Sequence, residues 1–333
     1  MDTFEVLSKL TAAHGVSGDE GEIRSLIRTL AEPYADEIYE DVMGNLIVRK
    51  KGSGAKVLFA AHMDSIGLVA TNIDTDGFVR FATLGGFAVP DLVDQTFRFA
   101  NGAYALCCPK EDKLESAKKR DLYLDVGAKD ETEAKELIAV GDTAAYVSPL
   151  KRLGSSRISG CYLDNRIGCL ALLHALEGIK NPANDLYFVF TVQEEVGTRG
   201  AKPAAFGIDP DYGIAVDVTC PDDVPGSEHD GTTYLGKGAA IKIMDRSVIC
   251  SAALVRSLNE LAKERNIPVQ QDILSCGGTD AGPIRTTRGG VMTGGISIPC
   301  RYTHSALELC DLADLDACVR LITAFCEKEQ PRV

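Results

Sequence analysis

A surplus of basic side chains is the first thing this 333-residue sequence lacks. Lysine and arginine number 35 against 48 aspartates and glutamates, a net charge of −13. Nothing is left over to neutralise nucleic-acid phosphates or to hold an anionic membrane surface, so neither partner is expected. The amino terminus, Met1-Asp2-Thr3-Phe4-Glu5, has no basic region followed by an apolar run, which argues against a secretory signal. No uninterrupted apolar stretch approaches the length of a membrane span. Cysteine is present at 11 positions, but no pair has C-x-x-C spacing. An odd, scattered set in a chain of this size disfavours structural zinc and a disulfide framework. It fits reduced, mostly buried thiols in a cytoplasmic protein. There is no internal repeat and no low-complexity segment. What remains is ordinary globular composition in a chain long enough for a sizeable core and two domains.

Along the chain, Phe4, Leu7 and Leu10 share one face of a helix. Ser17 with Glu20 reads as a capping box for a second helix carrying Ile23, Leu26, Ile27 and Leu30. Segments 45–49 and 56–61 read as strands, the second running into Ala61-His62-Met63-Asp64-Ser65. From about 67 to 157 short alternating strands are separated by turn signals such as Gly85-Gly86 and Asn101-Gly102. A charge-dense piece spans Lys110 to Arg120, and one short helix is expected near 132–137. This texture predicts a small β-barrel-like domain inserted into an α/β domain made of 1–66 and 158–333. The α/β pattern resumes at Ser159 to Arg166 with a following helix, and strands are expected at 186–192, 212–218, 269–274 and 291–298. Helices are expected from Val248 to Arg265 and over about 312–327. The fold class is therefore α/β, with a mixed, largely parallel sheet flanked by helices.

The 186–192 run is continuously apolar, as in a parallel strand buried on both faces. It stops at Gln193-Glu194-Glu195-Val196-Gly197-Thr198-Arg199-Gly200. Alone, such a Glu-Glu pair is equally compatible with a solvated turn. Four other positions, however, lie at or just past strand ends: His62, Asp164, Asp217 and His304. With Glu195 they make two imidazoles and three carboxylates, a set suited to one or two divalent transition ions. Asp217, among Ala215, Val216 and Val218, needs a partner. His62-x-Asp64 places a carboxylate close to a ligand imidazole, where such groups commonly hold the other ring nitrogen. His14, His174 and His229 read as ordinary turn, helix-face and loop residues.

These motifs resemble a known family. Ala61-His62-Met63-Asp64, Leu163-Asp164-Asn165-Arg166, Gln193 to Gly197, Gly277-Gly278-Thr279-Asp280-Ala281-Gly282 and Arg301-Tyr302-x-His304-Ser305 are similar, in order, to the tetrahedral-aminopeptidase family. Gly15-Val16-Ser17-Gly18 and Met43-Gly44-Asn45-Leu46 extend the likeness to the amino-terminal part. That family comprises dinuclear metallo-aminopeptidases, glutamyl and deblocking aminopeptidases among them. The resemblance implies that His62 and Asp217 hold one metal and Glu195 and His304 the other, with Asp164 bridging. It further implies Glu194 as general base and Asp64 as partner of His62. The two ions would be zinc or cobalt, with manganese also suited. It implies that residues 67–157 mediate dimerisation, dimers assembling into a dodecamer. Ser65, where the family usually has an acidic residue, and Ala306, where it usually has proline, are departures.

The expected reaction is removal of amino-terminal residues from short peptides by water activated between two ions, with Glu194 taking its proton. A metal-dependent amidase or deacylase acting on non-peptide amides is the alternative. A glycosidase would need two carboxylates roughly 5–9.5 Å apart across a sugar bond, which chain neighbours do not readily provide. An inactive assembly scaffold is the third reading.

Overall fold

The structure, a computed structural model, describes residues 1–110, 118–227 and 231–333. Most of the Lys110 to Arg120 piece, and His229, lie outside the described residues. Strands β1 (Glu37–Glu40), β2 (Leu46–Lys50) and β3 (Lys56–His62) precede β4 (Gly67–Ile73), β5 (Val79–Leu84), β6 (Thr96–Phe99), β7 (Tyr104–Pro109), β8 (Leu122–Asp125) and β9 (Thr143–Tyr146). Then come β10 (Lys151–Leu153), β11 (Arg157–Gly160), β12 (Asp185–Thr191), β13 (Tyr212–Thr219), β14 (Ala239–Met244), β15 (Val269–Ile273), β16 (Met292–Arg301) and β17 (Glu308–Asp311). The helices are α1 (Thr3–Ala12), α2 (Gly21–Ala31), α3 (Val89–Leu92), α4 (Glu131–Leu137), α5 (Leu163–Gly178), α6 (Ala201–Ile208), α7 (Ala252–Glu264), α8 (Ala281–Arg285) and α9 (Leu312–Glu327).

The large sheet runs β1-β2-β12-β3-β13-β16-β17-β11-β10, with β14 paired to β16 and to β15. Its centre, β12, β3, β13 and β16, is parallel throughout. Every residue of β12 and β13 is buried, as strands covered on both faces must be. On one face α1, α2, α5 and α9 pack against Val57, Phe59, Phe188 and Ile214, where Phe59 stacks on Phe188 with ring centroids 5.6 Å apart. On the other, Ala204 and Ala205 of α6 and Ile284 of α8 meet Leu58, Ala60 and Val189. Helix α5 is apolar around most of its circumference and carries no marked stripe, which suits a helix enclosed on all sides. Gly168 lets it close on β13: a Cβ there would stand 2.8 Å from the Val216 carbonyl.

Strands β4-β5-β8-β7-β6-β9 close into a separate barrel, which removes exposed strand edges. Its interior is its own apolar cluster, with Leu68, Val79, Phe97, Phe99 and Leu124. Among the described residues no helix is long and apolar enough to cross a membrane.

Three local expectations need correction. The capping box does not form: α2 starts at Gly21 with no side-chain cap, Ser17 donates to Asp64 instead, and Glu20 accepts from the Gly18 N–H. Helix α7 begins at Ala252, not Val248, because Ile249 bridges antiparallel to Met244 and Ser251 is still extended, at ψ 115°. The barrel region holds a second helix, the single turn α3. Strands β14 and β17 were not among the expected ones: β17 has only four residues, and β14 carries Lys242 inside an otherwise apolar run.

Candidate active site

Parallel register sets the site. Thr191, closing β12, lies beside His62, closing β3. Ala60 pairs with Ala215, which two residues on brings His62 level with Asp217. Strand β3 has a parallel neighbour on each side, so these groups gather at the kind of strand-end crevice where open α/β sheets bind ligands. Asp164 enters from the start of α5, where Asp164 and Asn165 are not yet helical and the peptide bond between them is cis. Glu194 and Glu195 come from the turn after β12. His304 comes from the β16–β17 turn, held at φ +65°.

All seven sequence-predicted site residues meet here. His62 Nε2 stands 3.1 Å from Asp164 Oδ1 and 3.5 Å from Asp217 Oδ1. His304 Nε2 stands 3.1 Å from Glu195 Oε2 and 3.5 Å from Asp164 Oδ2. The two oxygens of Asp164 thus face two different imidazoles, each accompanied by one further carboxylate. His62, Asp164 and Glu195 present ligand atoms within 4.8 Å of one another. A cleft of about 370 Å³ opens over the cluster and is lined by both Glu194 and Glu195.

The charge balance favours cations. Asp64, Asp164, Glu194, Glu195, Asp217, Asp280 and Glu308 crowd around two imidazoles. Burial, the largest influence on His304, pushes its pKa down. Asp164 and Glu195 outweigh it and hold the imidazole well above its usual range. His62 behaves likewise, burial being opposed by Asp217, Asp164 and Asp64. Burial pushes Asp164 up, yet His304 and His62 keep it well below the ordinary carboxylate range. Glu194 is pushed well above that range, by burial first and by Asp217, Asp280 and Glu195, with His62 opposing. Glu195 Oε1 is buried without any hydrogen-bond partner. A buried acid oxygen left unpaired in an anionic cage fits a site built for divalent ions.

The supporting groups extend beyond the sequence reading. Asp64 is fully buried. Its carboxylate accepts from Ser17 Oγ at 2.6 Å and from the backbone N–H groups of Glu194 and Glu195 at 2.9 and 3.2 Å. His62 Nδ1 is nearer the Asp64 carbonyl oxygen, 3.1 Å, than its carboxylate, 3.6 Å. Glu308, at 2% exposure, accepts the N–H of Asp164 at 2.9 Å on one oxygen and that of His304 at 3.0 Å on the other. Asp280 is buried, accepts from Thr191 Oγ1, and has a second oxygen without a partner. Burial, foremost, raises its pKa to about 7. The glycine-rich setting of Asp280 was its only sequence signal, and Glu308 had none. Barrel residue Gly86 touches the site too, since a Cβ there would lie 3.0 Å from His304 Nδ1. Ser65 is buried with its hydroxyl donating to the Gly15 carbonyl at 3.2 Å. Ala306 packs in the barrel's apolar cluster. His14 is buried against Asp19 and Thr143, and His174 meets Thr3.

The family described as M42 glutamyl aminopeptidase matches residues 44–321. The lysyl aminopeptidase of Pyrococcus furiosus is 36% identical over 99% of each chain. Aminopeptidase APDkam598 from the archaeon Desulfurococcus kamchatkensis has the same fold, with a TM-score of 0.94 at 39% identity over 97% of this chain and 94% of that one. The Pyrococcus horikoshii TET1 peptidase, described as able to assemble into a tetrahedron or a large octahedral shell, gives 0.89 at 32% identity over 98% and 100%. None of these likenesses favours the amidase, glycosidase or scaffold readings, and the family implies divalent metal ions. With its catalytic-sheet fold, its cage of imidazoles and carboxylates and these relatives, this chain belongs to the M42 glutamyl aminopeptidase family, metal-dependent hydrolases of the peptide bond.

Proposed function

We propose that the chain removes amino-terminal residues from short peptides using two divalent ions, zinc or cobalt, with manganese also compatible with the donor set. His62 and Asp217 would hold one ion, His304 and Glu195 the other, and Asp164 both. The observation that carries this is the division of Asp164, one oxygen toward each imidazole. When bound, such ions supply Lewis acidity toward the scissile carbonyl and lower the pKa of water.

Glu194 takes the proton of the attacking water and delivers it to the leaving amine nitrogen. Burial pushes the Glu194 carboxyl above its usual range, the direction that suits an acid-base group working near neutral pH. Asp64 keeps both glutamates in place through their backbone N–H groups, and Glu308 does the same for Asp164 and His304. The insertion of about residues 67–157 serves as a dimerisation domain, with dimers building a dodecamer in the cytoplasm. The assembly described for TET1 supports this, as do Tyr104, Leu106, Val140 and Val147, apolar side chains exposed in the barrel region.

A panel of aminoacyl and acyl-amino-acid amides, assayed with and without chelator and across added metals, tests the reading. Turnover of aminoacyl substrates should vanish on chelation and return with metal. Glu194→Gln should keep its metal yet lose roughly 10²–10⁴-fold in kcat. Near wild-type turnover in that variant would refute Glu194 as the base.

A further inference from the structure

Beyond the metal cage the cleft continues along the ends of β13, β14 and β15, where Val218, Thr219, Leu274 and Cys276 form its walls. Outside the metal-cage residues and Glu194, Lys242 is the one charged side chain lining it among the described residues. Its charge is already matched. Strands β14 and β15 pair with Lys242 beside Asp272, and both side chains are 1% exposed. Lys242 Nζ donates to Asp272 Oδ2 at 2.7 Å, while Asp272 Oδ1 accepts from Thr219 Oγ1 at 3.0 Å. Both carboxylate oxygens are therefore occupied, and the ammonium has a partner at contact distance.

An aminopeptidase that holds the substrate's free amino terminus at the metal cage leaves the first side chain this remaining part of the cleft. A glutamyl carboxylate entering it would find a neutralised ammonium, with the cage carboxylates nearby. A lysyl ammonium would meet Lys242 first, because Asp272 is paired behind it and does not line the cleft. Either charge would enter the cleft without an unmatched counter-charge to meet it, which is costly, and selectivity follows from such unmatched groups. Resting on the aminopeptidase reading, we propose that Lys242, Asp272 and Thr219 form a charge-neutral floor to the subsite for the substrate's first side chain, selecting uncharged apolar residues over acidic and basic ones. This sets the chain apart both from the glutamyl activity in its family's name and from the lysyl activity of its Pyrococcus furiosus relative.

The test compares kcat/KM for leucyl, methionyl, glutamyl and lysyl aminomethylcoumarins in the metal-loaded wild type and three variants. Leucyl and methionyl substrates should lead by about 10–100-fold. Asp272→Asn unmasks the ammonium, so the glutamyl-to-leucyl ratio should rise by about tenfold or more. Lys242→Met unmasks the carboxylate and should raise the lysyl-to-leucyl ratio similarly. The double replacement Lys242→Met with Asp272→Leu restores neutrality and should return the wild-type order, which keeps the test decisive if a single variant fails to fold. Calorimetric titration with leucine, glutamate and lysine should give the same order without turnover. A wild type led by glutamyl or lysyl substrates, or a double variant that prefers a charged one, would overturn the floor's role while leaving the aminopeptidase intact. Inertness toward all four substrates with metal restored would instead overturn the aminopeptidase reading beneath it.

Discussion

Replacing one oxygen of Asp64 by an amide nitrogen probes most of the site at once. Asp64→Asn preserves volume but removes the charge and turns one acceptor into a donor. If the new NH2 stands at Oδ1 it faces the Glu194 N–H; at Oδ2 it faces the Glu195 N–H and the Ser17 hydroxyl. Only Ser17 can reverse its role, so the second orientation is the better one, and it still strands one buried N–H. That orphan costs about 1–3 kcal/mol, while the surviving bonds fall from the range of about 1.5–3 kcal/mol for a charged acceptor toward about 1. The sum is roughly 2–7 kcal/mol of unfolding free energy. Because the lost bonds fix the two glutamates, metal affinity and kcat/KM should each fall about 10–100-fold. Urea unfolding, chelator-competition titration and steady-state kinetics read the three effects separately. A folded Asp64→Asn with wild-type metal affinity and turnover would refute the claim that this carboxylate positions the Glu-Glu turn.

Glu308→Ala should release the N–H groups of Asp164 and His304 together and weaken metal binding by about 10–100-fold. Glu308→Gln should rescue little, since its NH2 must face one of those two donors; full rescue by Gln in a chelator competition would count against the arrangement. Gly86→Ala brings a methyl 3.0 Å from His304 Nδ1, so it should lower metal affinity while barrel and sheet stay folded. Unchanged affinity would mean the turn yields. Sedimentation analysis should find an assembly larger than a dimer, and Leu106→Lys on the exposed barrel surface should reduce its size; a monomeric wild type at micromolar concentration would refute the assembly.

How far the sequence could be read depends on the kind of signal each residue leaves. Strands β3, β12 and β13 are unbroken apolar runs, so their ends, and with them His62, Glu195 and Asp217, were legible. Asp217 in particular stood out as a carboxylate in a hydrophobic strand. Ser17 shows the opposite. Its spacing to Glu20 satisfied the local rule for a helix cap, and a tertiary partner 47 residues away, Asp64, claimed the hydroxyl. Glu308 sits in a four-residue strand with no periodic pattern. Its role exists only once two distant N–H groups arrive at its two oxygens, which no local reading supplies. The Lys242–Asp272 pair is equally invisible, because β14 and β15 are separated in sequence by the whole of α7.

The pairing of Glu194 with Glu195 also has a physical explanation that the sequence did not offer. Consecutive side chains on an extended strand point to opposite sides, so adjacent glutamates would normally not line one cleft. Here the chain leaves extended geometry at Gln193, which is held at φ +55°, and the Glu194 carbonyl accepts the N–H groups of Gly197 and Thr198 at 2.8 Å each. The turn is thereby closed tightly, and a left-handed non-glycine residue costs roughly 1–2 kcal/mol. Asp64 offsets that cost by gathering the two glutamate N–H groups onto one carboxylate. The same contact that stabilises the strained turn therefore sets the two acids at neighbouring positions on the cleft wall, one beside His304 and the other free to carry a proton. A single buried aspartate links backbone strain to the roles proposed for the two glutamates, which is why its replacement should reach stability, metal affinity and turnover together.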